Sequence, residues 1–240
     1  MAEKVILGLC TSGARLKMAV AAGDEVFQAS KKEFNQERVL FSLARRELAR
    51  AGADLRRVSV VCAARGPGRF TGIRITLTLA ASLKALSGAE VYTATNFEIL
   101  ALQAFECADF RKRAGTSGRN RIAVMLHAFK DEYFCQFFRA GPGLKRPRAE
   151  GGPVWLKAEE LKAALAAAGD FYAVADSEQD PSIYGLLPAG SVRAPASVSK
   201  ILPAYIIKAA LAYGNKTLKP LYLKPAKYEL GCEKRRKIRN

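Results

Sequence analysis

The chain has 240 residues, with 39 lysines and arginines, 22 aspartates and glutamates and one histidine, so its formal net charge is +17. Half of the residues are apolar, which is typical of a globular protein and excludes a disordered or collagen-like chain. No run of about 18 uncharged apolar residues occurs, and the segment after Met1 is too short and strand-like for a signal peptide, so we expect a cytoplasmic protein.

The first hundred residues predict three strands, a helix and then strands alternating with helices. Apolar runs bounded by turn residues predict strands at 4–9, 16–22, 25–30, 57–64 and 90–93. Apolar residues at helical spacing predict helices at 36–51, 72–87 and 96–110, with Asn35, Thr71 and Asn96 as N-caps. This order favours a mixed sheet with helices packed on it.

The second half again alternates strands and helices. We predict strands at 122–127, 132–138 and 171–175, helices at 157–168 and over most of 195–213, and an exposed basic loop at 141–153. The polar, basic residues 111–120 read as a linker. We therefore expect a first lobe at 1–110, a second α/β lobe at 111–226 and a basic tail at 227–240.

The cysteines and the single histidine limit metal chemistry. No two of the cysteines have metal-ligand or redox spacing; they are Cys10, Cys62, Cys107, Cys135 and Cys232. One histidine excludes a two-histidine metal site. We expect no metal site in this chain.

The most unusual segment is Gly66–Ile75, which reads Gly-Pro-Gly-Arg-Phe-Thr-Gly-Ile-Arg-Ile between a predicted strand and a predicted helix. Glycines permit a sharp turn, and backbone N–H groups at a helix start can hold an oxyanion or phosphate. The candidate anion or nucleotide contacts are Gly66, Gly68, Arg69, Thr71, Gly72 and Arg74. The alternative is a plain turn whose glycines serve close packing. The segment lacks the Gly-Lys-Ser/Thr ending of a P-loop and the glycine spacing of a dinucleotide site.

This segment resembles the signature of the TsaB (YeaZ) family, usually written Gly-Pro-Gly-Ser-Phe-Thr-Gly-Leu-Arg-Ile-Gly. Three further segments, at 6–12, 127–133 and 220–225, agree with the family in order and approximate spacing. The resemblance therefore covers most of the chain.

The resemblance implies a two-lobed actin-like ATPase fold (ASKHA, RNase H-like) with mixed sheets flanked by helices. It implies a non-catalytic subunit that binds a TsaD-like ATPase, acts with a TsaE-like protein in threonylcarbamoyladenosine modification of tRNA, and often forms a homodimer when alone. The family was once regarded as glycoproteases.

It further implies that the partner binds the helices expected at 36–51 and 72–87. The candidate contacts are Val39, Leu40, Leu43, Ile75, Leu79 and Leu83. No cofactor of the chain's own is implied, and ATP or ADP with Mg is a candidate at the partner interface.

Several family positions differ in this chain. Cys10 stands where the family has an aspartate after the first strand, His127 and Phe129 replace the aspartate and arginine of an Asp-Ala-Arg motif, and Lys224 replaces a closing arginine. The histidine that precedes the first long helix in the family has no counterpart. Loss of polar residues on a retained strand-and-helix pattern indicates a divergent member that suits a scaffold better than an enzyme.

Two alternatives remain open. The charge of +17 and the basic loop at 141–153 favour a stand-alone, homodimeric RNA-binding protein. A peptidase or ATPase of the same fold is the other, although a peptidase would have His127 as its one histidine base. An ATPase would have to hold magnesium with carboxylates such as Asp131 and Glu132.

Overall fold

The computed structural model describes residues 4–117, 120–141 and 143–224. The first sheet has the order β3-β2-β1-β4-β5, in which β1 is antiparallel to β2 and parallel to β4. Its strands are β1 (Val5–Cys10), β2 (Arg15–Ala22), β3 (Glu25–Lys32), β4 (Val58–Ala64) and β5 (Glu90–Ala94). The helices of this half are α1 (Gln36–Arg50), α2 (Phe70–Ser87) and α3 (Asn96–Glu106).

The second sheet has the order β10-β9-β6-β7-β8, with β6, β7 and β8 antiparallel and β9 and β10 added in parallel. Its strands are β6 (Arg121–Phe129), β7 (Glu132–Arg139), β8 (Arg148–Lys157), β9 (Tyr172–Ala175) and β10 (Val192–Arg193). The remaining helices are α4 (Ala108–Ser117), α5 (Ala158–Ala167) and α6 (Pro203–Tyr213).

The two faces of the first sheet bury different partners. Successive side chains of a strand point to opposite faces, so Leu7 and Leu9 join the core formed with α1 and α2, while Cys10 joins the core formed with α3 and α6. Gly8 lets α6 approach β1, because a Cβ atom there would lie 2.6 Å from Ile207 Cγ1.

The core between the two sheets is continuous. A single apolar cluster takes in β1 and β4 of the first sheet, α3 and α6, and β6 and β9 of the second sheet. Helices α3 and α6 therefore lie between the sheets and join the two halves. Among the described residues, none of the helices has the combination of length and hydrophobicity that crossing a bilayer requires.

Two segments that were expected to be irregular are regular. The predicted linker at 111–120 is largely α4, which is held by Phe110 packing on Tyr172 at a ring distance of 5.3 Å and by an Arg113–Asp109 ion pair. The predicted helix at 96–110 is accordingly interrupted at Cys107. The expected loop at 141–153 becomes β8 from Arg148 onward, with an irregular register where Gly151, at φ +74°, interrupts the pairing.

The predicted N-caps were only partly right. Asn35 precedes α1 but its side chain makes no capping hydrogen bond. Thr95, not Asn96, caps α3, and Glu98 returns the hydrogen bond to complete a capping box. Thr71 lies inside α2, which begins one residue after Arg69.

The expected division near residue 110 separates the strands of the two sheets. Within the range 111–226, however, α6 packs against β1, β4 and β5 of the first sheet. The predicted tail at 227–240 and Cys232 lie outside the described residues.

Candidate functional site

The glycine-rich turn connects β4 to α2 and packs tightly against the loop that follows β1. A Cβ atom on Gly72 would lie 1.9 Å from the backbone oxygen of Thr11, and one on Gly68 would lie 2.5 Å from that of Ser12. Gly66 has φ +102°, in the region that favours glycine. Glycine at these positions is therefore what allows the two backbones to touch.

Hydrogen bonds fix the same contact. The Arg69 N–H donates to the Ser12 oxygen at 2.7 Å, and the Thr11 hydroxyl donates to the Gly72 oxygen at 2.5 Å. The Thr11 N–H donates to Thr76 Oγ1 on the next turn of α2. The start of α2 is thus anchored to the end of β1.

Asn96, the first residue of α3, joins the third segment to this contact. Its Nδ2 donates to Ser12 Oγ at 2.8 Å and to the Pro67 oxygen at 2.6 Å, and its N–H donates to the Gly66 oxygen at 2.8 Å. The side chain predicted to cap a helix is instead a buried link between the turn and the β1 loop.

The six predicted anion contacts lie together at this turn. Gly66 and Gly72 are buried, whereas Arg69, Thr71 and Arg74 are exposed. The Arg69 guanidinium stacks over Phe34 at 5.6 Å, and that of Arg74 over Phe70 at 4.0 Å. The geometry favours a packing role for the glycines, and anion binding here stays a prediction.

The segment at 220–224, here called the closing segment, covers one side of the glycine-rich turn. The Leu221 N–H donates to the Arg65 oxygen at 2.8 Å, and the Tyr222 ring stacks on Phe70 at 4.8 Å. Lys224 pairs with Glu132 of the second sheet and lies 5.3 Å from the Trp155 ring. The family-like closing motif therefore ties the glycine-rich turn to the second sheet.

Helices α1 and α2 border an open, largely apolar groove of about 1040 Å³. Of the predicted partner contacts, Leu40, Ile75, Leu79 and Leu83 line the groove and Val39 and Leu43 do not. Leu40 and Leu43 are each 4% exposed, and Leu79 and Leu83 are 7% and 8% exposed, so these four belong mainly to the core.

Two large apolar side chains of this groove were not predicted. Phe41 is 52% exposed and Leu86 is 86% exposed. Phe41 lies on the polar side of α1, next to the apolar stripe. A large apolar residue outside that stripe is the sequence signal that could have identified Phe41 as a binding residue. Leu86 lies near the end of α2, beyond the last buried leucine of that helix.

A second candidate site, the cleft between the two sheets, is almost filled. Lys17 of β2 reaches across to the segment after β9, where its Nζ lies 2.6 Å from Glu178 Oε2. Together with Cys10 and Asp176 these groups leave a cavity of about 10 Å³, which is about the space of one water molecule.

Burial shifts the pKa values of the titratable groups in this cleft. Burial raises the pKa of the Cys10 thiol, with a hydrogen bond to Ser12 acting in the opposite direction. Burial also raises the pKa of Asp176, opposed by the Lys17 charge. Cys10 is therefore a protonated thiol at neutral pH and a poor nucleophile.

The other candidate catalytic groups lie on the β6–β7 hairpin. His127 Nε2 is 2.9 Å from the Lys130 oxygen, and its ring packs against Tyr133. Asp131 is exposed, while Glu132 is paired with Lys224. Within the described parts of the chain, no cluster of three or more histidine, cysteine, aspartate or glutamate side chains could hold a metal ion.

Comparison with known proteins agrees with this architecture. A family model described as TsaD, tRNA N6-adenosine threonylcarbamoyltransferase, matches residues 32–134. Two solved structures from Pseudomonas aeruginosa share the fold at 23% identity, each covering 92% of this chain and 100% of its own. One is YeaZ, with a TM-score of 0.68, and the other is described as an uncharacterized protein with similarity to peptidase YEAZ, with a TM-score of 0.69.

No curated protein matches this chain. The resemblance to TsaB (YeaZ) that the sequence motifs indicated is nevertheless confirmed, because the structural match covers nearly the whole chain and the TsaD model includes the glycine-rich turn. The two-lobed actin-like fold is confirmed with it.

The close approach at Gly72 gives a first testable prediction. Gly72→Ala should lower the free energy of unfolding by about 3 kcal/mol or more, because the new methyl group meets a backbone oxygen that cannot rotate away. Gly152→Ala in β8 is the matched control, since a Cβ atom there meets nothing within 4 Å. Urea unfolding followed by circular dichroism measures both. Equal losses in the two variants would contradict the tight contact.

The buried Asp176 gives a second prediction. Its pKa in the folded state is raised above the ordinary 3.8. At a pH between 3.8 and the raised pKa, the folded state therefore holds a proton that the unfolded state releases. Its contribution to stability is therefore greatest at low pH and is lost as the pH rises through the raised pKa. Asp176→Asn, which cannot ionise, should gain stability relative to the natural protein as the pH rises.

The measurement is the free energy of unfolding of both proteins at about pH 3.5 and about pH 7. Asp131→Asn on the exposed hairpin is the control for removal of one negative charge. A difference between Asp176→Asn and the natural protein that is constant with pH would show that the carboxyl group ionises normally.

Proposed function

We propose that this chain is a non-catalytic, TsaB-like scaffold that binds a TsaD-like ATPase and acts with a TsaE-like protein in threonylcarbamoyladenosine modification of tRNA. The YeaZ-like structure and the match to the TsaD family model support a TsaB-like role in tRNA modification. The observation that carries the binding role is the apolar groove between α1 and α2, with Phe41 and Leu86 exposed beside it.

The groove has the features of a protein-binding surface. Exposed contiguous apolar area is uncommon on monomers and marks interaction sites. Covering Phe41 and Leu86 would contribute about 1.5–3 kcal/mol for each fully buried side chain. Arg56 and Arg74 line the same groove with one carboxylate, Glu37, so acidic side chains facing the two arginines would add complementary charge around an apolar centre.

The groove also suits a second copy of the chain. We propose that, without its partner, the protein forms a homodimer through the same surface, because the same apolar side chains then leave water. Partner and second copy would compete for it.

A non-catalytic role is supported by the state of the cleft between the sheets, where chemistry could occur. The cleft between the sheets is filled by the Lys17–Glu178 pair, and the Cys10 thiol there is protonated. We propose that ATP or ADP with Mg binds at the partner interface, where Arg74 lines the groove and Arg69 is exposed directly before α2.

The test is co-expression with the TsaD-like protein of the same genome, followed by gel filtration with light scattering. We expect a one-to-one complex. Phe41→Glu and Leu86→Glu should each weaken it by about thirtyfold or more, as expected for a central contact worth about 2 kcal/mol. Both side chains are exposed, so the variants should unfold at the same urea concentration as the natural protein.

Val26→Glu is the matched control, because Val26 is 46% exposed on β3 and does not line the groove. Glutamate at Leu40, Leu43 or Leu79 would test folding instead of binding, since those side chains are buried. A complex that survives both groove variants, or no complex with the natural protein, would contradict the proposal.

A further inference from the structure

The second sheet carries a row of arginines at one end. Arg139 of β7 lies directly opposite Arg121 of β6 on one side and Arg148 of β8 on the other. Residues directly opposite each other in antiparallel strands project from the same face, and neighbouring strands are about 4.8 Å apart. The three arginine side chains therefore project from one row of residues, which spans about 10 Å across the three strands.

The carboxylates of the chain neutralise only part of the positive charge of this row. One carboxylate serves two arginines, because Glu150 contacts Arg121 Nε at 2.7 Å and Arg139 Nε at 3.2 Å. The Arg139 side chain remains 73% exposed. Arg148 is exposed and has no ion pair with any residue that the structure describes. Like charges directly opposite each other destabilise a sheet, so an external anion would relieve this arrangement.

The loop between β7 and β8 adds to the positive charge. Lys145 and Arg146 are exposed, and the Arg146 guanidinium stacks on Tyr213 at 5.0 Å. Carboxylates of the described residues at this end of the sheet include Glu150 and Asp170, and Glu98 acts on Tyr213 together with Arg146. We call this surface the basic edge; its five cations are Arg121, Arg139, Lys145, Arg146 and Arg148.

The basic edge is concave and polar. An open groove of about 790 Å³ lies along it, lined by Asn120, Arg139, Leu144, Arg148 and Glu150 among others. The side-chain oxygen of Asn120 is buried and has no hydrogen-bond partner within the described residues. The groove thus offers the guanidinium groups of Arg139 and Arg148 to a ligand rich in oxygen atoms, whereas the Asn120 oxygen can only accept a hydrogen bond.

The chemistry of this surface fits a phosphate backbone better than a protein surface. The large apolar side chains that the described residues expose lie elsewhere, whereas the centre of a protein interface is apolar and aromatic. Planar guanidinium groups match phosphate oxygens two at a time, and the net charge of +17 favours a polyanion. We propose that the basic edge binds the phosphate backbone of RNA.

This proposal concerns a different surface from the α1–α2 groove. Only the choice of tRNA as the probe rests on the proposed function. Binding of a fluorescently labelled tRNA transcript to the chain alone, followed by fluorescence anisotropy over a range of salt concentrations, therefore tests the basic edge without any partner protein.

The double variant Arg139→Gln/Arg148→Gln removes two adjacent phosphate contacts. We expect it to bind tRNA about tenfold more weakly at low salt. The slope of log affinity against log salt should become shallower by about 1.4 to 1.8, which corresponds to two lost contacts. Both side chains are exposed, and removing two like charges should leave the free energy of unfolding unchanged or slightly higher.

Lys31→Gln/Lys32→Gln is the matched control, since it removes the same charge from exposed positions at the end of β3 in the first sheet. It should weaken binding by less than about twofold. Equal weakening by both double variants would show that net charge alone holds the RNA, and no binding at low salt would also overturn the proposal. Displacement of tRNA by polyglutamate at equal charge concentration would assign the surface to an acidic protein instead.

The proposal for the groove and the proposal for the basic edge can be contradicted independently. Phe41→Glu should still bind tRNA, and Arg139→Gln/Arg148→Gln should still form the complex with the TsaD-like protein. Loss of tRNA binding in the groove variant would overturn the assignment of RNA to the basic edge.

Discussion

The backbone contact between Gly72 and Thr11 is the constraint on which the rest of the structure depends. It allows α2 to begin directly on the loop after β1, and Thr76 and Ser12 hold it there through hydrogen bonds. The position of α2 in turn sets one wall of the apolar groove. Asn96 attaches α3 to the same place, so that one turn orients helices on both faces of the first sheet.

The two halves of the molecule are held together at three levels. Helices α3 and α6 share one apolar cluster with both sheets, and Lys17 bridges the cleft to Glu178. The closing segment contacts Arg65 beside the first sheet and Glu132 in the second. The two proposed surfaces can therefore act at once, since the groove lies on the outer face of the first sheet and the basic edge lies at one end of the second.

The sequence was sufficient for the order of strands and helices over the first hundred residues, because hydrophobic periodicity and turn residues are local signals. It misjudged 111–120 and 141–153, where basic residues and glycines resemble a loop and the helix and strand are stabilised by contacts with distant residues, such as Phe110 on Tyr172. Leu40 and Leu79 were predicted as partner contacts, but their burial and the exposure of Phe41 depend on how α1 and α2 pack. The arginine row depends on strand register, which residue spacing does not reveal.

The buried lysine of the cleft has a consequence for chemical labelling. The side chain of Lys17 is 6% exposed, and its amino group is held against Glu178, so an amine-reactive reagent has no access to it while the two sheets stay together. Lys31 and Lys32, in the neighbouring strand, are exposed. The rate at which Lys17 is acylated, relative to the rates for these two lysines, therefore reports how often the two halves of the molecule separate.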